Sequence, residues 1–283
     1  MPDMTIDLLA YAKLNLSLRV RGRRPDGYHE IDSIVQTIDL ADRLRIHVAE
    51  GDGLRVTNDL PGLEGPDLAA RAATAALATK DARRDITIDV RKGIPAGAGL
   101  GGGSSDAAAV LRSLDLVVPP VLPGHQLHDV AAQLGSDVPL FLVGGCVRIR
   151  GRGEQLESCP ELRTETFTVL VPPIHCATPV VYATWHAHPA STDAPCALGA
   201  NDLLAPALAT HPALLPYDRA IRGLGGHYAG MSGSGSAFYA AFVESSEARC
   251  AADVLERMFP EARVFLCRPT PSASRRVNEG RTT

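Results

Sequence analysis

The sequence predicts an α+β protein of two domains, and three observations carry that prediction. Stretches of strict polar–apolar alternation, such as Ile86-Thr87-Ile88-Asp89-Val90, mark half-buried strands, while an alanine-rich stretch at 67–79 marks a helix. Both kinds occur in both halves of the chain, without the regular strand–helix–strand alternation of a doubly wound parallel sheet. A polar segment at 151–163, with Gly, Glu and Pro, separates the halves. With 283 residues, two medium domains fit, at 1–152 and 153–267. The remaining 268–283 is rich in Pro, Ser and Arg, which predicts a disordered tail.

In chain order, 6–20 reads as a strand with a polar interruption at Lys13 and Asn15, followed by a turn at Arg24-Pro25-Asp26-Gly27. Strands are expected at 44–48 and 86–90, on either side of the helix at 67–79. A loop at 94–103 feeds a helix at 104–114, for which Ser104, Ser105 and Asp106 supply cap and first-turn chemistry. A helix near 125–134 ends at Gly135, read as a C′ glycine. The second half offers strands at 166–171, 237–243 and 262–267, helices at 206–223 and 247–258, and a glycine–serine loop at 231–236.

Composition narrows the function classes. A net charge of −4 gives no electrostatic grip on nucleic acid or an anionic membrane. The six cysteines are scattered singly, with no C-x-x-C pair, and read as reduced thiols of a cytoplasmic protein. The N-terminus lacks the features of a signal peptide, and no apolar run reaches the ~20 residues of a membrane helix. His125 with His128, and His186 with His188, lack a nearby carboxylate set and read as solvated, so no metal ligand is assigned. The only lysines are Lys13, Lys80 and Lys92.

The most informative segment is Pro95-Ala96-Gly97-Ala98-Gly99-Leu100-Gly101-Gly102-Gly103-Ser104-Ser105. Glycine lets the backbone take positive φ and approach a ligand closely. Such a loop feeding a helix N-terminus aims several N–H groups and the positive dipole end at one spot, which suits phosphate. Ser104 and Ser105 can add hydroxyl donors or a magnesium ligand. Gly97, Gly99 and Gly102 match G-x-G-x-x-G, but the acidic residue expected on a second strand ~20 residues on is replaced by Val117-Val118-Pro119-Pro120. A Walker loop needs Gly-Lys-Ser/Thr, and no lysine follows these glycines. A merely flexible loop is the remaining reading, against which stands the entropic cost of ordering three consecutive glycines beside a helix.

Tyr11-Ala12-Lys13-Leu14-Asn15-Leu16, the loop 95–105 and Met231-Ser232-Gly233-Ser234-Gly235 together resemble the three motifs of the GHMP kinase superfamily. The blocks from Gly22 to Ile31, containing Asp26-Gly27-Tyr28-His29, and from Gly135 to Leu142, containing Ser136-Asp137, resemble the branch of that superfamily that phosphorylates a cytidine diphosphate-linked polyol in non-mevalonate isoprenoid synthesis. The resemblance implies an N-terminal ATP-binding domain of ribosomal protein S5 domain 2-like fold, a ferredoxin-like α+β C-terminal domain and a substrate cleft between them. It further implies that 95–105 wraps the ATP phosphates, that Asp137 and Lys13 are the catalytic pair at the acceptor 2-hydroxyl, and that Asn15 lines that pocket. Tyr28 and His29 are then expected on the cytosine, with Tyr182 opposite. Mg2+ is inferred from the chemistry of phosphoryl transfer, and either a monomer or a homodimer is compatible.

Bland readings compete for each residue: a surface lysine for Lys13, a helix cap for Asp137, turn residues for Tyr28 and His29. Two departures stand out. Ser236 follows Gly-Ser-Gly where the superfamily usually has proline, and Asp67 stands where an asparagine amide is expected on the adenine side. A kinase of another small alcohol, or an inactive nucleotide-binding relative, is the alternative.

Overall fold

The computed structural model describes residues 3–59, 67–160, 165–186 and 197–272. The chain divides into two compact units. Unit one comprises Met1–Ala12, Leu40–Ile94 and Gly101–Val143; unit two comprises Lys13–Asp39, Pro95–Leu100 and Gly144–Thr283. Two long strands, β1 (Met4–Arg23) and β2 (His29–Ala49), pass through both.

In unit one, β3 (Gly53–Asn58) pairs parallel with β4 (Asp85–Arg91), which pairs antiparallel with Arg43–Ala49 of β2. Alternation buries Ile86, Ile88 and Val90 on one face, where they meet Leu44, Ile46 and Val48 in the core. Helix α1 (Leu68–Thr79) covers that core with Ala69, Ala72, Ala73 and Ala76, a helical spacing of small residues that lets α2 (Gly102–Val117) pack close against it. Helices α3 (Gly124–Leu134) and α4 (Val138–Val143) complete the unit. Asp67 caps α1, its carboxylate accepting from Ala69 N at 2.8 Å. Lys80, at the other end of α1, is buried against Asp115 of α2, Nζ to Oδ1 at 2.8 Å.

In unit two, β5 (Cys146–Gly151) pairs with Ile31–Gln36 of β2 and with β6 (Gln155–Ser158), so part of the polar 151–163 stretch forms a hairpin. Asp32 of β2 accepts both Nε and Nη2 of Arg148 and also Arg21 Nη2, each at 2.8 Å. The Arg148 hydrogen bonds, opposed by burial and reinforced by Arg21, lower the Asp32 carboxyl from 3.8 to about 2. A depressed carboxylate stabilises the fold above its ordinary value and loses that contribution as pH falls through the folded one. Wild-type protein should therefore lose about 1–2 kcal/mol between about pH 4 and 2, after screening of the part-exposed guanidinium groups. In Asp32→Asn that component of the acid slope should be absent from urea unfolding curves.

The remaining strands form an antiparallel sheet in the order β10 (Arg263–Cys267), β7 (Thr166–Val171), β9 (Phe238–Phe242), β8 (Tyr228–Met231). Every residue of β7 and β9 is buried. Helix α8 (Ser245–Met258) lays Ala248, Ala251, Ala252 and Leu255 toward the core, and α7 (Leu215–Arg222) packs on β8 and β9. Helices α5 (Thr178–Thr184) and α6 (Leu204–Thr210) connect β7 to α7.

Three expectations need correction. The α3 terminus has no left-handed glycine: Gly135 is extended, at φ 175°, and its N–H bonds to Ala131 O. Residues 268–272 are paired rather than disordered. Arg268 N donates to Asp39 Oδ1 and Thr270 N to Thr37 O, each at 2.8 Å, and Gln36 Nε2 donates to Thr270 O at 3.0 Å. Composition signalled a tail, but backbone partners beside β2 decide the outcome; residues 273–283 lie outside the described residues. The α2 terminus is the third correction.

Candidate active site

In unit two, two loops and one strand meet around Lys13. Alternation along β1 sends Lys13 and Asn15 to the same face. Lys13 N donates to Leu100 O at 3.0 Å, and Ala237 N to Ala98 O at 3.1 Å. The Ser232 hydroxyl accepts from Asn15 N at 3.1 Å and donates to Gly99 O at 2.9 Å, so one serine of the third motif ties the first to the second. Lys13 is 4% exposed, and its ammonium donates to Asn15 Oδ1. A Cβ on Gly233, at φ +58°, would lie 3.4 Å from both Lys13 Nζ and Asn15 Oδ1 and 3.5 Å from Gly99 O. Glycine thus leaves those groups facing one small space. A buried ammonium bonded to an amide oxygen is no surface lysine.

Two residues of this region escaped the sequence reading. Asn201 Nδ2 donates to Met231 O and Gly233 O, both at 2.8 Å, and holds the third loop in shape. His175 seats its ring on Gly97: an added Cβ would fall 2.3 Å from Nδ1. Neither follows a local pattern, so only the fold reveals them.

In unit one, the start of α2 is bare. Its N-cap is Gly101, at φ +75°, and no side chain caps it. The expected caps are otherwise engaged: Ser105 Oγ donates to Tyr11 O at 2.7 Å, and Asp106 turns inward to Lys92. A helix end without a capping side chain keeps its first-turn N–H groups for a ligand. With its cap position held by a positive-φ glycine, the first turn of α2 has the chemistry to take an anion. Asp137 sits half-buried in the turn between α3 and α4, immediately before Val138.

The aromatic group lies in unit two. Gly27 N bonds to Arg24 O and Tyr28 N to Asp26 Oδ1, both at 3.1 Å, so the Arg-Pro-Asp-Gly turn sets the two residues that follow it. His29 meets Tyr182, with ring centroids 4.8 Å apart, and Trp185, 5.7 Å away edge-on. Burial, with Arg23 nearby, lowers the His29 imidazole from its ordinary value. Tyr28 is 52% exposed, with the Arg152 guanidinium 4.9 Å from its ring centre. Trp185 was missed, although a lone tryptophan one helical turn beyond Tyr182 was a usable signal.

A glycine-rich loop before a helix with no capping side chain, in an α+β chain, is in keeping with the GHMP kinase resemblance of the sequence. The family description "GHMP kinases N terminal domain" matches residues 67–145, which span α1 to α4 with the glycine-rich loop. The 4-diphosphocytidyl-2-C-methyl-D-erythritol kinases of Moorella thermoacetica and Geobacter sp. are each 36% identical to the chain, over 90% and 89% of it and 96% and 95% of their own lengths. A crystal structure of 4-(cytidine 5'-diphospho)-2C-methyl-D-erythritol kinase superposes with TM-score 0.77 at 35% identity, covering 93% of this chain and 99% of that one. The chain belongs to the 4-diphosphocytidyl-2-C-methyl-D-erythritol kinase family. Homoserine kinase from Cytophaga hutchinsonii, at TM-score 0.73 and 16% identity over 95% of both chains, shares the fold.

Proposed function

We propose that the protein transfers the γ-phosphoryl group of ATP to the 2-hydroxyl of 4-diphosphocytidyl-2-C-methyl-D-erythritol. A bond forms between the acceptor oxygen and the γ-phosphorus while the bridge to ADP breaks, and the hydroxyl proton passes to a carboxylate. The observation that carries this reading is the uncapped start of α2 behind positive-φ glycines, which leaves backbone donors for phosphates. Phosphoryl transfer asks mainly for alignment and charge neutralisation, so few side chains suffice.

In this reading 95–105 holds the ATP phosphates, within an ATP-binding domain at 1–152 that precedes a C-terminal domain at 153–267. Asp137 accepts or orients the hydroxyl proton, a role that rests on the likeness of the Gly135–Leu142 segment to the family. Lys13 stabilises developing charge, and Asn15 holds its ammonium in place. Tyr28, His29 and Tyr182 take the cytosine, with the His29–Tyr182 contact as the preformed part. Magnesium commonly binds through one or two protein oxygens plus substrate phosphates. Ser104, in the first turn of α2, supplies one oxygen of that kind in this reading. The ion would neutralise phosphate charge.

A coupled ADP-release assay against a panel of alcohols tests the reading. ADP should appear with the cytidine compound and not with homoserine or mevalonate; the opposite pattern would reassign the substrate. Tyr182→Ala should raise KM for the cytidine compound about tenfold, an aromatic stacking loss of ordinary size, with KM for ATP little changed.

A further inference from the structure

We propose that Asp42, Lys92 and Asp106 are positioning residues for the nucleotide, an ionic staple that holds the two ends of the glycine-rich loop together. The proposal rests on the reading above that this loop carries the ATP phosphates. Asp42 Oδ1 accepts from Gly93 N at 2.7 Å and Ile94 N at 2.8 Å, the two residues that lead into the loop. Its other oxygen accepts from the Lys92 ammonium. That ammonium also donates to Asp106 Oδ2 at 2.7 Å, in the helix by which the chain leaves the loop. One lysine therefore connects the strand that enters the loop to the helix that follows it. The first residue of α2 is seated on the same cluster: a Cβ on Gly102 would lie 3.3 Å from Asp42 Oδ2 and 3.2 Å from Ile94 Cγ2.

The chemistry favours positioning over bulk stabilisation. The three side chains are 0–8% exposed, and burying charges is costly enough that a tightly packed apolar trio would support the fold as well. Charge-assisted hydrogen bonds add what apolar contacts lack, a fixed direction and distance. In a segment so rich in glycine, fixing both ends removes conformational freedom that the nucleotide would otherwise have to freeze on binding. Asp106 Oδ1 is buried without a hydrogen-bond partner among the described residues, so Lys92 is the cation that holds this carboxylate. Burial, reinforced by Asp42 and opposed by Lys92, pushes the Asp106 carboxyl up, and an asparagine would keep an acceptor oxygen of the same shape toward the Lys92 ammonium.

The test is ATP affinity measured without any alcohol, by titration with a fluorescent ATP analogue, on Asp106→Ala, Lys92→Met and Asp106→Asn. The first two should bind the analogue about tenfold more weakly, while Asp106→Asn returns to near the wild-type value. Steady-state KM for the alcohol should stay unchanged. A folded Asp106→Ala that binds with wild-type affinity overturns the proposal, as does an equal loss for ATP and alcohol, which would mean general fold support. Hydrogen exchange on the wild type decides the matter without any variant. The Gly93 and Ile94 amides should be protected before ATP is added, and free exchange there overturns the staple. A failure to phosphorylate the cytidine compound, with the ATP-affinity pattern intact, would remove the substrate reading alone.

Discussion

Asp137→Asn is expected to lower kcat by about 10²–10⁴-fold, the usual worth of general-base help, while KM for ATP stays near the wild-type value. The amide keeps the size and most hydrogen-bonding geometry of the carboxylate, so the α3–α4 turn should survive. It cannot take a proton. The effect should be read in single turnovers with ATP and the cytidine compound, because a slow product-release step would mask part of the loss in steady state. An unchanged rate would restrict Asp137 to its place before Val138 and return the proton to solvent. Lys13→Met complements this test, since Lys13 is buried and bonded to Asn15 Oδ1. Loss of its ammonium should lower kcat more than it raises either KM.

Gly99→Ala should cost about 10²-fold in turnover, the scale expected when a reacting group is displaced by ~1 Å. Gly99 has φ +74°, where an L side chain is strained. Its added methyl would fall 2.2 Å from Ser232 O and 3.0 Å from Gly235 O, and both obstacles are backbone. The two loops must therefore separate. That movement breaks the Ser232 Oγ to Gly99 O bond, and Ser232 also holds Asn15 N. One methyl thus reaches the glycine-rich loop, the third motif and β1 together. Gly124→Ala is the control, because its methyl meets nothing within 4 Å. If Gly99→Ala turned over like Gly124→Ala, the interlocking of these loops would not matter to function.

Long-range partners explain what sequence reasoning missed. Pattern reading found 44–48 of β2, yet the strand runs His29–Ala49. Its earlier part is buried while carrying Asp32, Ser33, Gln36 and Thr37, so the period-2 signal vanishes. Distant partners meet these groups: Asn15 bonds Ser33, Arg21 and Arg148 bond Asp32, and Thr270 bonds Thr37 and the Gln36 Nε2. The start of α2 misled for the opposite reason. Ser104, Ser105 and Asp106 have cap chemistry, but Gly101 takes the cap position and Asp106 goes to Lys92. Lys80 and Lys92, two of the three lysines, were not singled out, and each proved to be a buried ion partner.

The amino-acid sequence alone determined the α+β class, most strands and helices, and a glycine-rich loop before a helix. Those features are local: periodicity, glycine's freedom at positive φ and the chemistry of a helix terminus act over a few residues. Tertiary structure alone decided that Ser232 joins the three motifs, that Trp185 meets His29, and that Asp42, Lys92 and Asp106 converge. These contacts join residues far apart in the chain, and their existence depends on which buried donors find which acceptors. No short window of sequence records that pairing.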